Sequence, residues 1–250
     1  MITRPLFYLI VTMAAAAPVH AQDAAAIVRK AVEQYSKNEE TLRNYTYTDR
    51  TVTDDLDAKG QVKATHSKVM EIMYIDGKQW TRTLEIDGKP VKQSEKKPGR
   101  AENAELRAAN NPFRRIPAAY DLTIVGQPVI NGRPTWEIRA TPKKDYKGPH
   151  ASVFRNVEGT LWIDQKDNAW VKFEADTSDT ISFGLFIARI AKGTRIHVER
   201  VRVNDEVWAP SVVSLKGSAR IALVKSINQQ QTSRFSDYKK YSTDSHLVEQ

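Results

Sequence analysis

Few residues in this chain have the type and spacing that chemistry requires. His66, His150, His197 and His246 follow the N-terminal leader, far apart and with no pair at i,i+4. A metal site or a general base would therefore need the fold to bring them to carboxylates. Asp49, Asp54, Asp55 and Asp57 gather around one polar hairpin loop and could offer oxygens to calcium. They lack the EF-hand spacing and its terminal Glu, and aspartate is at home in turns, so a solvated loop is the reading. Asp145 and His150 share the long basic loop Pro142–Val157, where meeting in a cleft would make them an acid–base pair. No G-x-S-x-G, H-E-x-x-H, Walker A or G-x-G-x-x-G occurs, and the cysteine count is zero. The sequence thus predicts no catalytic residue, no metal and no cofactor.

What remains is apolar binding, and the elements that would shape it can be read from periodicity. The stretch Glu158 to Tyr241 reads as one long antiparallel meander: Glu158–Asp164, Ala169–Thr180, Thr194–Val203, Trp208–Gly217 and Asn228–Tyr241. Tight turns at Gln165–Asn168 and Asn204-Asp205 lie at one end of the ribbon. The two longer connections, Ile181–Gly193 and Ser218–Ile227, must then share the other. Connections are expected to be polar, yet these carry Phe183, Phe186, Ile187, Ile190 and Leu223, with Arg189, Lys192, Arg220 and Lys225 among them. Phe183, Phe186, Ile187 and Ile190 follow i, i+3, i+4, i+7, which predicts a short amphipathic helix plugging the open end. The four basic residues are candidates for contact with anionic headgroups or a partner.

Ahead of the meander, Asp23 caps a predicted amphipathic helix in which Ile27, Ala31 and Tyr35, and Val28 and Val32, recur at three and four. From Arg43 the period changes to two. Strands follow around Tyr45–Val52, Val62–Ile75, Lys78–Ile86 and Lys89–Gln93, with Asp76-Gly77 and Asp87-Gly88 as type I′ hairpin signals. Ala101–Asn110 has the propensity of a short mid-chain helix ending before Asn111-Pro112. Tyr120–Gly126 and Arg133–Thr141 form a hairpin around Asn131-Gly132. Roughly ten strands with a helix set in the curve predict a half-closed barrel. Met73, Trp80 and Trp136, the last sharing a face with Ile138 and Ala140, are candidate walls of its cavity.

Composition sets the address. Arg4 precedes the apolar run Leu6–Ala17, and Val19-His20-Ala21 supplies small residues at the cleavage positions, so residues 1–21 read as a signal peptide. The run is too short to span a bilayer. Without a cysteine the exported product is no lipoprotein, and export without disulfides favours a periplasm. The remainder reads as one domain over residues 22–241 with a tail at 242–250. Net charge is +8, which bears on association with anionic surfaces; nothing of the nucleic-acid-binding type accompanies it.

Taken in order, the helix, the meander, Asn111-Pro112-Phe113, Trp136-Glu137-Ile138, Thr141-Pro142-Lys143 and Gly159-Thr160-Leu161-Trp162-Ile163-Asp164 resemble the LolA/LolB-like outer-membrane lipoprotein carrier family. The resemblance covers most of the chain after the leader and rests on the order of individually weak motifs. It implies an unclosed β-barrel with helices over its mouth and an apolar cavity for acyl chains, similar to the soluble carrier of that family. The expectation is a monomeric, non-enzymatic periplasmic carrier for lipid or an acylated lipoprotein, with a membrane surface or an envelope protein as partner. The alternative is an envelope interaction or sensor module whose core is filled and which carries no lipid.

Overall fold

The computed structural model describes residues 23–75, 78–92, 97–98, 111–183, 188–221 and 225–241. Helix α1 spans Ala24–Leu42, and its start is set by Asp23, whose carboxylate accepts from the Ala25 amide at 2.9 Å. Its buried stripe is Ala24, Ile27, Val28, Ala31, Val32, Asn38 and Leu42, the three-and-four spacing of the sequence turned into one face.

The strands are β1 (Tyr45–Leu56), β2 (Val62–Ile75), β3 (Lys78–Ile86), β4 (Lys89–Pro90), β5 (Lys97–Pro98), β6 (Tyr120–Gly126), β7 (Val129–Ile130), β8 (Arg133–Pro142), β9 (Val157–Asp164), β10 (Trp170–Thr177), β11 (Ile181–Phe183), β12 (Ala188–Ile190), β13 (Arg195–Val203), β14 (Val207–Ile221) and β15 (Lys225–Lys240). They form one antiparallel sheet in the order β4-β3-β2-β1-β15-β14-β13-β10-β9-β8-β6. Two meanders are therefore welded where the first strand pairs with the last, Asp49 facing Phe235 and Thr51 facing Ser233. The outer strands on this path, β4 and β6, do not pair with each other, so the sheet curls without closing. Between Pro90 and Tyr120 the chain passes from one edge to the other. That segment includes the 3-10 turn Pro112–Arg115 and the single helical turn Ile116–Ala119. The helix expected at Ala101–Asn110 and the turn at Asp76-Gly77 lie outside the described residues.

Hairpins sit where turn chemistry placed them. Asp87-Gly88 and Asn131-Gly132 have positive φ at both residues, 48° and 72°, and 50° and 76°, as a type I′ turn requires. Asn204-Asp205 does the same without glycine, at 48° and 56°. The rim differs from expectation. Ile181–Phe183 and Ala188–Ile190 pair as strands, and β12 adds to β14 through Ala188–Ile221, Arg189–Arg220 and Ile190–Ala219. The predicted helix over Ile181–Ala191 is thus corrected. An exposed partner edge on β14 satisfies these backbone groups in extended form, and helical spacing over so few residues cannot compete. The two long connections do share one end, since Ala188 lies beside Ile221.

Helix α1 lies in the curve against β14, β6 and β9. One cluster joins Ile27, Val28, Ala31 and Val32 to Ile138, Ala140, Leu161, Ile163 and Trp170. A second joins Leu42, Tyr45 and Tyr47 to Ile72, Val207 and Ala209. Two polar clamps hold the helix in register: the Trp170 indole donates to the Ala31 carbonyl at 3.0 Å, and the Asn38 amide pairs with both backbone groups of Trp208, accepting its N–H at 2.6 Å. Below them, fully buried Asp164 receives Arg133 at 2.6 and 2.8 Å and the amides of Lys166 and Asp167. Burial pushes its carboxyl up, but Arg133 and those amides outweigh burial and hold it below the usual carboxylate value.

Replacing Asn38 by Leu keeps the branched shape and strands the Trp208 N–H and C=O. At about 1–3 kcal/mol per buried unpaired group, urea unfolding monitored by tryptophan fluorescence should show a loss of about 2–4 kcal/mol. A loss under about 0.5 kcal/mol would mean the clamp contributes nothing.

Candidate functional site

The helix does not fill the curve it occupies. Between α1 and the sheet runs a cavity of about 340 Å³, lined by Tyr35, Leu42, Tyr47, Tyr74, Phe113, Trp170, Phe173, Val198, Pro210, Val213 and Phe235, with Glu39, Gln79, Lys172 and Arg200 at its margin. A second lobe of about 280 Å³ shares Phe113 and Phe173 with the first and is lined by Ile116, Tyr120, Ala140, Val153, Phe154, Val157, Leu161, Ala175 and Ile196, with Glu158 and Glu174. Strand alternation explains the wall. Phe173 pairs with Val198 and Val198 with Val213, so one cross-strand row turns apolar side chains inward.

Phe113 is the partition between the lobes. Asn111 accepts from its amide at 3.0 Å, fixing the turn that projects the ring. The ring lies 5.2 Å from Tyr35, 5.4 Å from Trp170 and 6.3 Å from Phe173, centroid to centroid, within the range of favourable aromatic pairs. Burial, reinforced by Glu39, pushes the Tyr35 phenol up to about 12, so it stays neutral at physiological pH. Arg200, with 9% of its side chain exposed, donates to Glu39 at 2.8 Å and stands 5.0 Å over the Tyr35 ring. A cation thus sits in an otherwise apolar wall. Lys172 turns instead to Glu174 at 2.8 Å and the Trp162 ring.

Away from α1 the same concave face changes character. Phe235 lines the cavity and faces Asp49; the next rows are Thr51 with Ser233, Thr53 with Gln231 and Asp55 with Gln229. The trough is apolar at one end and polar at the other, the arrangement that suits an amphiphile. Asp49 is buried and bonded to Thr51 at 3.0 Å, while Thr51 bonds Ser233 at 2.7 Å. Burial pushes the Asp49 carboxyl above its ordinary 3.8 against the lowering effect of those hydroxyls and Lys68.

The predicted site residues distribute unevenly. Met73 and Trp80 are register partners on the sheet face opposite Tyr74 and Gln79, and Trp136 packs against the helix cluster beside Ile138. None of the three lines either lobe, because parity on β2 and β3 and the position of α1 over β8 decide orientation. Ile190 is half-buried at the rim; Arg189, Lys192 and Arg220 are exposed there. Phe183 and Lys225 lie in strands, but their side chains, with Phe186, Ile187 and Leu223, lie outside the described residues. Phe113, Phe173, Tyr35, Tyr47, Tyr74 and Arg200 were not named as cavity residues from sequence. The inward row Phe173, Val198, Val213 was legible as alternation, whereas nothing local aimed Phe113 or Arg200 into the curve.

The candidate acid–base residues do not come together. His150 and Asp145 are exposed in the Pro142–Val157 loop with no hydrogen bond between them, and His197 lies on the other face of β13, bridging Glu174 and Glu199 at 3.2 and 3.0 Å. Among the described residues no group of metal-ligating side chains converges, and no helix is long and apolar enough to cross a membrane.

No protein-family model matches the sequence, and no curated protein matches it significantly. Several solved structures are similar in chain course. A DUF1329 family protein from Desulfovibrio piger is 11% identical, with 90% of this chain and 94% of that one covered at a TM-score of 0.38. A putative outer membrane lipoprotein-sorting protein domain from Vibrio parahaemolyticus is 9% identical, with 88% and 95% covered at 0.39. A LolA superfamily protein from Nitrosomonas europaea is 13% identical, with 88% and 94% covered at 0.36.

A raised carboxyl in the folded state contributes stability that is present below the unfolded pKa and is lost as pH rises through the folded one. Asp49→Asn should therefore be more stable than the parent at pH 7, with the difference shrinking towards the ordinary 3.8. Urea midpoints measured across that range check it; a variant less stable at pH 7 and equal at acid pH would reverse the sign.

Proposed function

We propose that this protein is a non-enzymatic carrier that shields the apolar part of a lipid, or of an acylated protein, in the trough between α1 and the curled sheet. The observation that carries this reading is the pair of adjoining cavities, about 340 and 280 Å³, which share Phe113 and Phe173 and are walled mainly by aromatic and aliphatic side chains. Ligand cavities run from roughly 300 Å³ upward, and apolar cavities of even about 150 Å³ stay dry and take apolar occupants. Such a wall recognises no particular atom. It binds by removing methylenes from water, at about 0.8 kcal/mol for each.

The rest of the trough refines the cargo. Arg200 with Glu39 at the margin, and the hydroxyl and amide rows from Thr51 to Gln229 beyond it, suit the polar head of an amphiphile. A signal-type leader at residues 1–21 and a basic chain point to work in a bacterial envelope, and sorting of outer-membrane lipoproteins is one such task. The packed-core alternative has against it the unfilled space around Phe113. An envelope hydrolase has against it the exposed position of His150, outside the lining of both lobes.

Filling the lobes tests this. Val198→Trp in the larger lobe and Ile196→Trp in the smaller should each displace about two methylenes of a bound chain, weakening retention of a fluorescent fatty acid about tenfold. Native mass spectrometry with organic extraction of the periplasmically purified protein should find lipid or acylated peptide on the parent and less on the variants. A bare parent that also refuses added lipid would remove the carrier reading.

A further inference from the structure

The rim carries a second feature, on the opposite face of the sheet from the trough. Pairing sets Ser182 opposite Arg189, Arg189 opposite Arg220, and Arg220 opposite Ser226, so these four side chains stand in one row across four strands. All four are exposed. The row behind it, Ile181, Ile190, Ala219 and Ile227, faces the other way and is buried or half-buried. Alternation is thus clean here, and the polar row is a surface rather than an accident of a loop.

Two like charges directly opposite on neighbouring strands destabilise a sheet unless something neutralises them. Among the described residues neither arginine has an ion pair. Arg189 and Arg220 border a cleft of about 450 Å³ with Ser218, Ser226 and Asn228, walled by Ala58 and Thr180. Guanidinium forks flanked by hydroxyl donors, at strand spacing of about 4.8 Å, match the oxygens of a phosphate.

We propose that the Ser182–Arg189–Arg220–Ser226 row binds the phosphodiester of anionic phospholipids and docks this end of the protein on a bilayer surface. A bilayer is favoured over free phosphate by the sequence around the row: Gly184-Leu185-Phe186-Ile187 and Ala222-Leu223-Val224, which join these strands in the chain, contain no polar side chain. Cations that flank wholly apolar stretches of sequence are the pattern of interfacial binding.

Flotation on phosphatidylcholine vesicles, with and without one quarter phosphatidylglycerol, tests this independently of cargo in the trough. The parent should float with the anionic vesicles alone and detach in high salt. Arg189→Gln with Arg220→Gln should bind about thirty-fold more weakly, while Lys89→Gln with Lys92→Gln, the same charge change at a distant edge, should bind as the parent does. If circular dichroism shows the arginine variant unfolded, Ser182→Asp with Ser226→Asp gives the same expected loss. Equal flotation on neutral vesicles, unchanged binding by a folded row variant, or saturation of the row by inorganic phosphate alone with no vesicle binding would overturn the proposal.

Discussion

The curl of the sheet around α1 depends on two hydrogen bonds that reach across the core, from the Trp170 indole to the Ala31 carbonyl and between Asn38 and the Trp208 backbone. An unclosed sheet has no rim to rim pairing to hold its curvature. Its inner face must bury against something, and here that is the Ile27, Val28, Ala31, Val32 stripe. Dispersion and burial supply most of the attraction but little direction. The two clamps supply the direction, holding the helix over β6, β9 and β14 while leaving the middle of the trough to Phe113 and its aromatic neighbours.

That placement produces the site. Had α1 lain deeper, Phe173, Val198 and Val213 would meet aliphatic side chains and the core would be filled. Instead Phe113, delivered by the turn that begins at Asn111, touches Tyr35, Trp170 and Phe173 and divides the space in two. The trough then grades from aromatic to polar along β1 and β15, because the residues of those strands that share a face with Phe235 are Asp49, Thr51, Thr53 and Asp55. One sheet face thereby serves two solubilities, and the other face, at the rim, carries charge.

Much of this was legible as sequence. The helix stripe, the switch from period three-and-four to period two, the Asp-Gly and Asn-Gly turns and the two greasy connections sharing an end all follow from local rules, and the structure keeps them. The amphipathic helix read into Ile181–Ala191 did not survive, because β14 presents a free edge that only the fold reveals. Met73, Trp80 and Trp136 were reasonable cavity walls by residue type. Register turned the first two to the other face and α1 covered the third.

By itself, then, the sequence determined the N-terminal helix, most of the strands and the tight turns, since these depend on residues close together in the chain. The tertiary structure alone decided that β1 pairs with β15, that Phe113 projects into the curve, that Arg200 meets Glu39 there, and that Arg189 stands beside Arg220. Each of those joins segments far apart in sequence, and a pairing across such separations is set by the competition of whole faces for burial rather than by any local pattern.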